Sequence, residues 1–114
     1  MTDFETILRQ AHAAAERAVA NLPDQYACGW AWVRVDGNSP LARFCRAQYK
    51  ARGGASDATI RHHFGTKGYP TGWQFWCPGN FRGQSVDAHE AGSRAFRDVL
   101  ASYGIHADVC SRLD

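Results

Sequence analysis

At 114 residues, with 45% hydrophobic and 21% charged residues, the chain has the length and composition of one folded domain with a real core. Its net charge of +2 is too small to imply a polyanion partner, but seven Lys and Arg stand against two Asp between residues 34 and 67, so the positive field is local. No run approaches the roughly 18 apolar residues of a membrane span, and the acidic N-terminus lacks an apolar signal core, so we expect a cytoplasmic protein with no membrane partner. The four cysteines (Cys28, Cys45, Cys77, Cys110) are far apart and form no C-x-x-C pair, which reads as free thiols in a reducing compartment.

Thr2-x-x-Glu5 has the form of a capping box. Phe4, Ile7, Leu8, Ala11, Ala15, Ala18, Val19 and Leu22 follow as one helical stripe, which Pro23 and Asp24 close. Its alanine-rich face suits close packing. Cys28 to Val35 is the clearest strand: Trp30 and Trp32 share one face, and Ala31, Val33 and Val35 the other. Both faces are apolar, which predicts a central position in a sheet. Asp36-Gly37-Asn38 is a turn. Ser39 as N-cap and Pro40 at the first helical position start a second helix that runs to about Arg52. Leu41, Phe44 and Cys45 face inward there, joined by Gln48 or Tyr49, while Arg43, Arg46 and Lys50 ride outside. Gly53-Gly54 ends it.

Ile60 to Phe64 reads as a short strand, and Gly65 to Gly72 as a loop long enough to carry function. Trp73-Gln74-Phe75-Trp76-Cys77 is a dense apolar strand stopped by Pro78-Gly79. Ser85 then caps a long helix with apolar positions at Ala88, Ala91, Ala95, Phe96, Val99, Leu100 and Tyr103, ended by Gly104. Ile105 to Cys110 alternates as a last strand with Ile105, Ala107 and Val109 inward, and Ser111 to Asp114 is a polar tail. The order α-β-α-(β)-β-α-β predicts an α+β two-layer sandwich. Its sheet has three or four strands, mixed or antiparallel, with helices mainly on one face. One or two of the four tryptophans then fall on the open face.

The runs Cys28-Gly-Trp-Ala-Trp-Val33, Gly72-Trp-Gln-Phe-Trp-Cys-Pro78, Gly83-Gln-Ser-Val86, Glu90-Ala-Gly-Ser-Arg-Ala-Phe96 and Ser111-Arg-Leu-Asp114 resemble small uncharacterised proteins encoded by tailed bacteriophages and prophages. The likeness covers most of the chain. Those relatives often carry Phe in place of Trp30 and lack cysteine at positions 45, 77 and 110, which counts against a four-cysteine metal site. The resemblance implies a phage origin and carries over no catalytic residue.

Three patterns bear on chemistry. The loop Gly79-Asn80-Phe81-Arg82-Gly83-Gln84-Ser85 joins a strand to a helix N-terminus, where free amides, the helix dipole and Arg82 favour an anion. It is not a phosphate-binding P-loop, because Gln84 stands where the lysine belongs. A plain connection capped by Ser85 explains the same residues. Second, Arg43, Arg46 and Lys50, followed by Arg52, Arg61 and Lys67, are interleaved with Tyr49, His62, Phe64, Tyr69 and Trp73, the mixture that single-strand binders use. A solvated helix face is the plain alternative. Third, His62-His63 and His89-Glu90 invite a metal or base reading. Adjacent strand residues point apart, and Glu90 with Arg94 is an ordinary helix pair, so no metal site and no cofactor is expected. Cys28 with some histidine as a hydrolase dyad has no geometry behind it.

The reading that follows is a non-enzymatic phage protein acting in the host cytoplasm on a nucleic acid or on a host protein. Its surface comprises Arg43, Arg46, Lys50, Arg61, Lys67, Tyr69, Trp73, Arg82, Gln84 and Ser85. The alternative is a small enzyme or binder taking a phosphorylated or nucleotide-like ligand at the 79–85 loop, with Arg82, Ser85, His63 or His89 in its pocket.

Overall fold

The computed structural model describes residues 2–114. Asp3, not Thr2, opens the first helix: its carboxylate accepts a 2.8 Å hydrogen bond from the Thr6 amide, and α1 spans Phe4–Val19. An aspartate one residue closer to the first turn outcompetes the expected Thr2 cap. The stripe is interrupted before Leu22, which is exposed outside the helix. β1 (Gly29–Val35) follows, then α2 (Pro40–Ala51), whose start is as predicted: the Ser39 hydroxyl accepts from the Ala42 amide, with Pro40 at the first position.

The segment read as a strand over Ile60–Phe64 is a helix, α3 (Ala58–Phe64). The Asp57 carboxylate accepts from the amides of Thr59 and Ile60, so local capping decides the conformation, and Phe64 is delivered to the core. The expected loop contains a two-residue strand, β2 (Thr66–Lys67), before β3 (Trp73–Trp76). α4 (Val86–Ser102) is capped by Ser85 as expected, and Gly104, at φ 77°, lies just beyond its end. The last strand is displaced: β4 runs Asp108–Leu113, taking in most of the expected polar tail. Edge-strand pairing needs backbone amides and carbonyls rather than apolar side chains, and Ala107 and Ile105 pack against the core just before it.

The protein is thus α+β, with four helices and a four-stranded antiparallel open sheet in the order β2-β3-β1-β4 among the described residues. β1 is central, as its two apolar faces require. On one face Val33 and Val35 with Trp73 and Phe75 join Leu8 and Ala15 of α1, Leu41 and Cys45 of α2, and Phe96 and Leu100 of α4 in one buried cluster. Phe96 is fully buried with its ring 4.9 Å from Phe75, centroid to centroid. α4 lies on β1 and packs against α1. Among the described residues, the opposite face carries Trp30, Trp32 and Arg34 of β1, outside the buried cluster.

Candidate functional site

Alternation along β1 places Trp30, Trp32 and Arg34 in one row on the open face. The antiparallel register then sets their neighbours: Trp76 and Cys110 flank Trp32, Gln74 and Asp108 flank Arg34, and Arg112 lies across from Trp30. The rings of Trp32 and Trp76 stack with centroids 5.2 Å apart at 21°, and Trp30 leans toward Trp76 at 6.3 Å. Trp76 is 43% exposed. Three of the four tryptophans therefore occupy the open face, one more than the upper sequence expectation.

Trp73 has the other fate. It is buried, and its indole N–H donates to the Phe64 carbonyl at 2.7 Å. The Arg46 guanidinium lies 5.3 Å from the centre of its ring, and Tyr49 meets it edge-on at 5.9 Å. Trp73 thus holds Arg46 in place from beneath instead of offering an open stacking surface.

Where the row reaches Arg34, the surface sinks into an open cleft of about 850 Å³ between the β1–α2 turn, α2 and the loop joining β2 to β3. Arg34, Arg46, Lys50 and Lys67 line it, with Asp36, Asp108 and His106. The two arginines are held by neutral groups. Arg34 donates to the Thr71 carbonyl (3.1 Å) and hydroxyl (2.6 Å), and Arg46 donates to the Gly37 carbonyl (2.9 Å). None of the four cations forms an ion pair among the described residues; Asp108 pairs instead with His106 at 3.5 Å. The cleft therefore presents oriented positive charge, four cations against the carboxylates of Asp36 and Asp108, an excess that suits a multivalent anion.

Of the expected site residues, the structure brings Arg46, Lys50, Lys67 and Trp73 to this cleft and leaves Arg43 and Tyr69 exposed outside its lining. Arg61 is turned inward along α3, donating to the carbonyls of Gly54 and Ala55, and lines a separate small depression of about 210 Å³ beside His62, Thr66 and Trp76. Arg34 was legible only as part of a charge count, because its orientation comes from Thr71, 37 residues away. Trp30 and Trp32 were legible as a shared face, whereas Trp76 joins them only through the strand register.

The 79–85 loop is answered from within the chain. The Asp24 carboxylate accepts from the amides of Gln84 and Ser85, both at 2.9 Å, so the position offered to an anion already holds one. The Ser85 hydroxyl accepts from the Ala88 amide, and Arg82 is exposed. His89 is buried, with its Nε2–H donating to the Gly83 carbonyl. His63 belongs to a different element and meets Glu5 at 3.2 Å. Neither cavity is lined by Arg82, Ser85, His63 or His89.

His62 and His63 are on a helix, so the strand argument for their separation does not apply; both rings approach His12, at 5.1 and 5.0 Å. Burial holds His12 down to about 4 and also lowers His62. No group of three or more His, Cys, Asp or Glu is arranged to hold a metal ion among the described residues. The four thiols are free, and burial pushes Cys45 up to about 12 and raises Cys77 and Cys110, the opposite of an activated nucleophile. No helix among the described residues is long and apolar enough to cross a membrane. Comparison with protein-family models, curated proteins and solved structures finds no match for this chain.

Proposed function

We propose that this chain is a non-enzymatic binding protein whose ligand is a nucleic acid, held by its phosphates in the cleft beside Arg34. The observation that carries the reading is the set of four cations, Arg34, Arg46, Lys50 and Lys67, without an acidic partner, two of them fixed by carbonyls and one stacked on Trp73. Held arginines lose little freedom when a phosphate arrives, and the exposed lysines add charge without demanding a fixed geometry. Burial lowers the basicity of His12 and His62 and raises the thiols of Cys45, Cys77 and Cys110, which does not favour an acid–base or covalent centre at these groups. The resemblance to proteins of tailed phages and prophages supports action in the host cytoplasm.

The test is fluorescence anisotropy with single-stranded DNA and RNA oligonucleotides at low salt. The wild type should bind, and Lys50→Glu with Lys67→Glu should abolish binding, because both side chains are exposed and reversal leaves the core untouched. Absence of binding at low salt would remove the nucleic-acid reading. Direct engagement of a host protein through the same basic and aromatic surface would then take its place, with a single nuclease-resistant band in a pull-down as its signature.

A further inference from the structure

The cleft reads phosphates; the row beside it has a different chemistry. Trp30, Trp32 and Trp76 form a continuous aromatic patch on the sheet face that lies outside the buried cluster. Arg34 ends the row at the cleft and Arg112 lies across from Trp30 at its other end. A row of π-faces bounded by cations complements a chain in which flat bases alternate with phosphates. A duplex hides those base faces within its own stack, whereas a single strand can turn them outward.

We infer that the open sheet face is a base-stacking platform, and that the nucleic acid bound by this protein is single-stranded, its bases on Trp32 and Trp76 and its phosphates at Arg34 and the cleft. The inference rests on the proposed function and narrows it. Trp32 and Trp76 stack on one another at 21°, which leaves the pair to extend as a stack by receiving a base on the exposed Trp76 side. Trp30 is set back: it packs 5.3 Å from the ring of the buried His89, so it supports the platform from the α4 end. Gln74, opposite Arg34 and two residues from Trp76 on the same strand, supplies an amide at the junction of stack and cleft. Asp108, also opposite Arg34 and 3.5 Å from His106, opposes a phosphate there, against the four cations of the cleft.

Sequence preference follows from the same arrangement. Stacking tolerates any base, and neither the row nor the cleft presents a set of donors matched to one base edge. Binding should therefore depend on single-strandedness far more than on sequence.

The experiment uses the intact protein with three probes of equal length, about a dozen nucleotides: a thymidine oligonucleotide, an abasic strand with the same phosphates, and a duplex. The thymidine strand should quench tryptophan emission and bind at least roughly tenfold more tightly than the abasic strand, the difference expected for one or two stacked bases. The duplex should resemble the abasic strand. Trp76→Leu, which keeps apolar cover on an already exposed position, should erase the advantage of thymidine over abasic. Trp32→Leu serves as the second variant, with circular dichroism confirming that each is folded.

Equal affinity for thymidine and abasic strands would overturn the platform while leaving the phosphate cleft standing. No binding of any probe at low salt would overturn the cleft reading, and the platform with it. A concentration-dependent dimer abolished by Trp76→Leu, without base-dependent binding, would assign the aromatic face to a second copy of the chain and equally overturn the inference.

Discussion

His12 shows what burial does to a single polar side chain. It lies on the inner face of α1 with its Nε2–H donating to the His63 carbonyl at 2.9 Å and its Nδ1 without a partner. Burial is the largest influence on its basicity and lowers it to about 4 from 6.5, opposed by the bond to His63 and reinforced by the neighbouring rings of His62 and His63. The folded protein thus keeps a neutral imidazole that the unfolded chain would protonate. Stability should be whole above about pH 6.5 and fall progressively as the pH drops toward 4, by about 3 kcal/mol from this group. Denaturant midpoints measured at about pH 7.5 and 4.5 should differ in that direction, and His12→Gln, which takes up no proton, should flatten the difference. An unchanged pH dependence in that variant would place the acid-sensitive group elsewhere. The sequence offered no route to this residue: His12 falls on an alanine stripe where it reads as a helix side chain like any other, and its partner is 51 residues away.

At the scale of elements, local signals were reliable where a cap and a periodicity agreed. Ser39-Pro40 and Ser85 start α2 and α4 as read, and the alternation of Cys28 to Val35 gives β1 its central place. They failed where the deciding partner was remote or the cap was passed over. Asp57 before an Ile60/Phe64 pair four residues apart is itself a helix signal, and the composition of the stretch hid it. β4 exists because β1 offers an edge, so Ser111 and Arg112 join a strand without any apolar pattern of their own. Asp24, read as a helix stop, is the side chain that ties the start of α4 to the rest of the molecule. The same distinction between local propensity and context predicts the behaviour of Gly92. In an exposed helix interior, replacing Gly by Ala stabilises by up to about 1 kcal/mol. Gly92 is buried on α4, and a β-carbon there would run into the Pro78 carbonyl oxygen and press on Val19. Gly92→Ala should therefore destabilise, by about 1–3 kcal/mol as for overpacked cores. Thermal or urea unfolding gives the sign directly, and a stabilised variant would mean that α4 stands further from the Pro78 turn.

On the whole-molecule scale, the positive charge is concentrated while the total stays near neutral, and that separates two kinds of salt dependence. Arg34, Arg46, Lys50 and Lys67 converge on one cleft, yet Asp24 closes the α4 N-terminus and the chain as a whole carries only +2. A strand attracted diffusely by so small a net charge would bind weakly and without a defined number of released counterions. A strand seated in the cleft neutralises about four phosphates, so the logarithm of its affinity should fall with the logarithm of salt at a slope of about −3, taking about −0.7 per phosphate for single strands. Neutralising Lys50 and Lys67 to Gln should bring the slope to about half of that, whereas Trp76→Leu should lower affinity with the slope intact, because stacking releases no counterions. The convergence itself was beyond reading in the sequence. The excess of charge between residues 34 and 67 was visible, but Arg34 and Lys67 meet Arg46 only because β2 folds back on β3 and β3 pairs with β1. A slope near zero in the wild type would show that the strand passes the cleft by, whatever it does on the tryptophans.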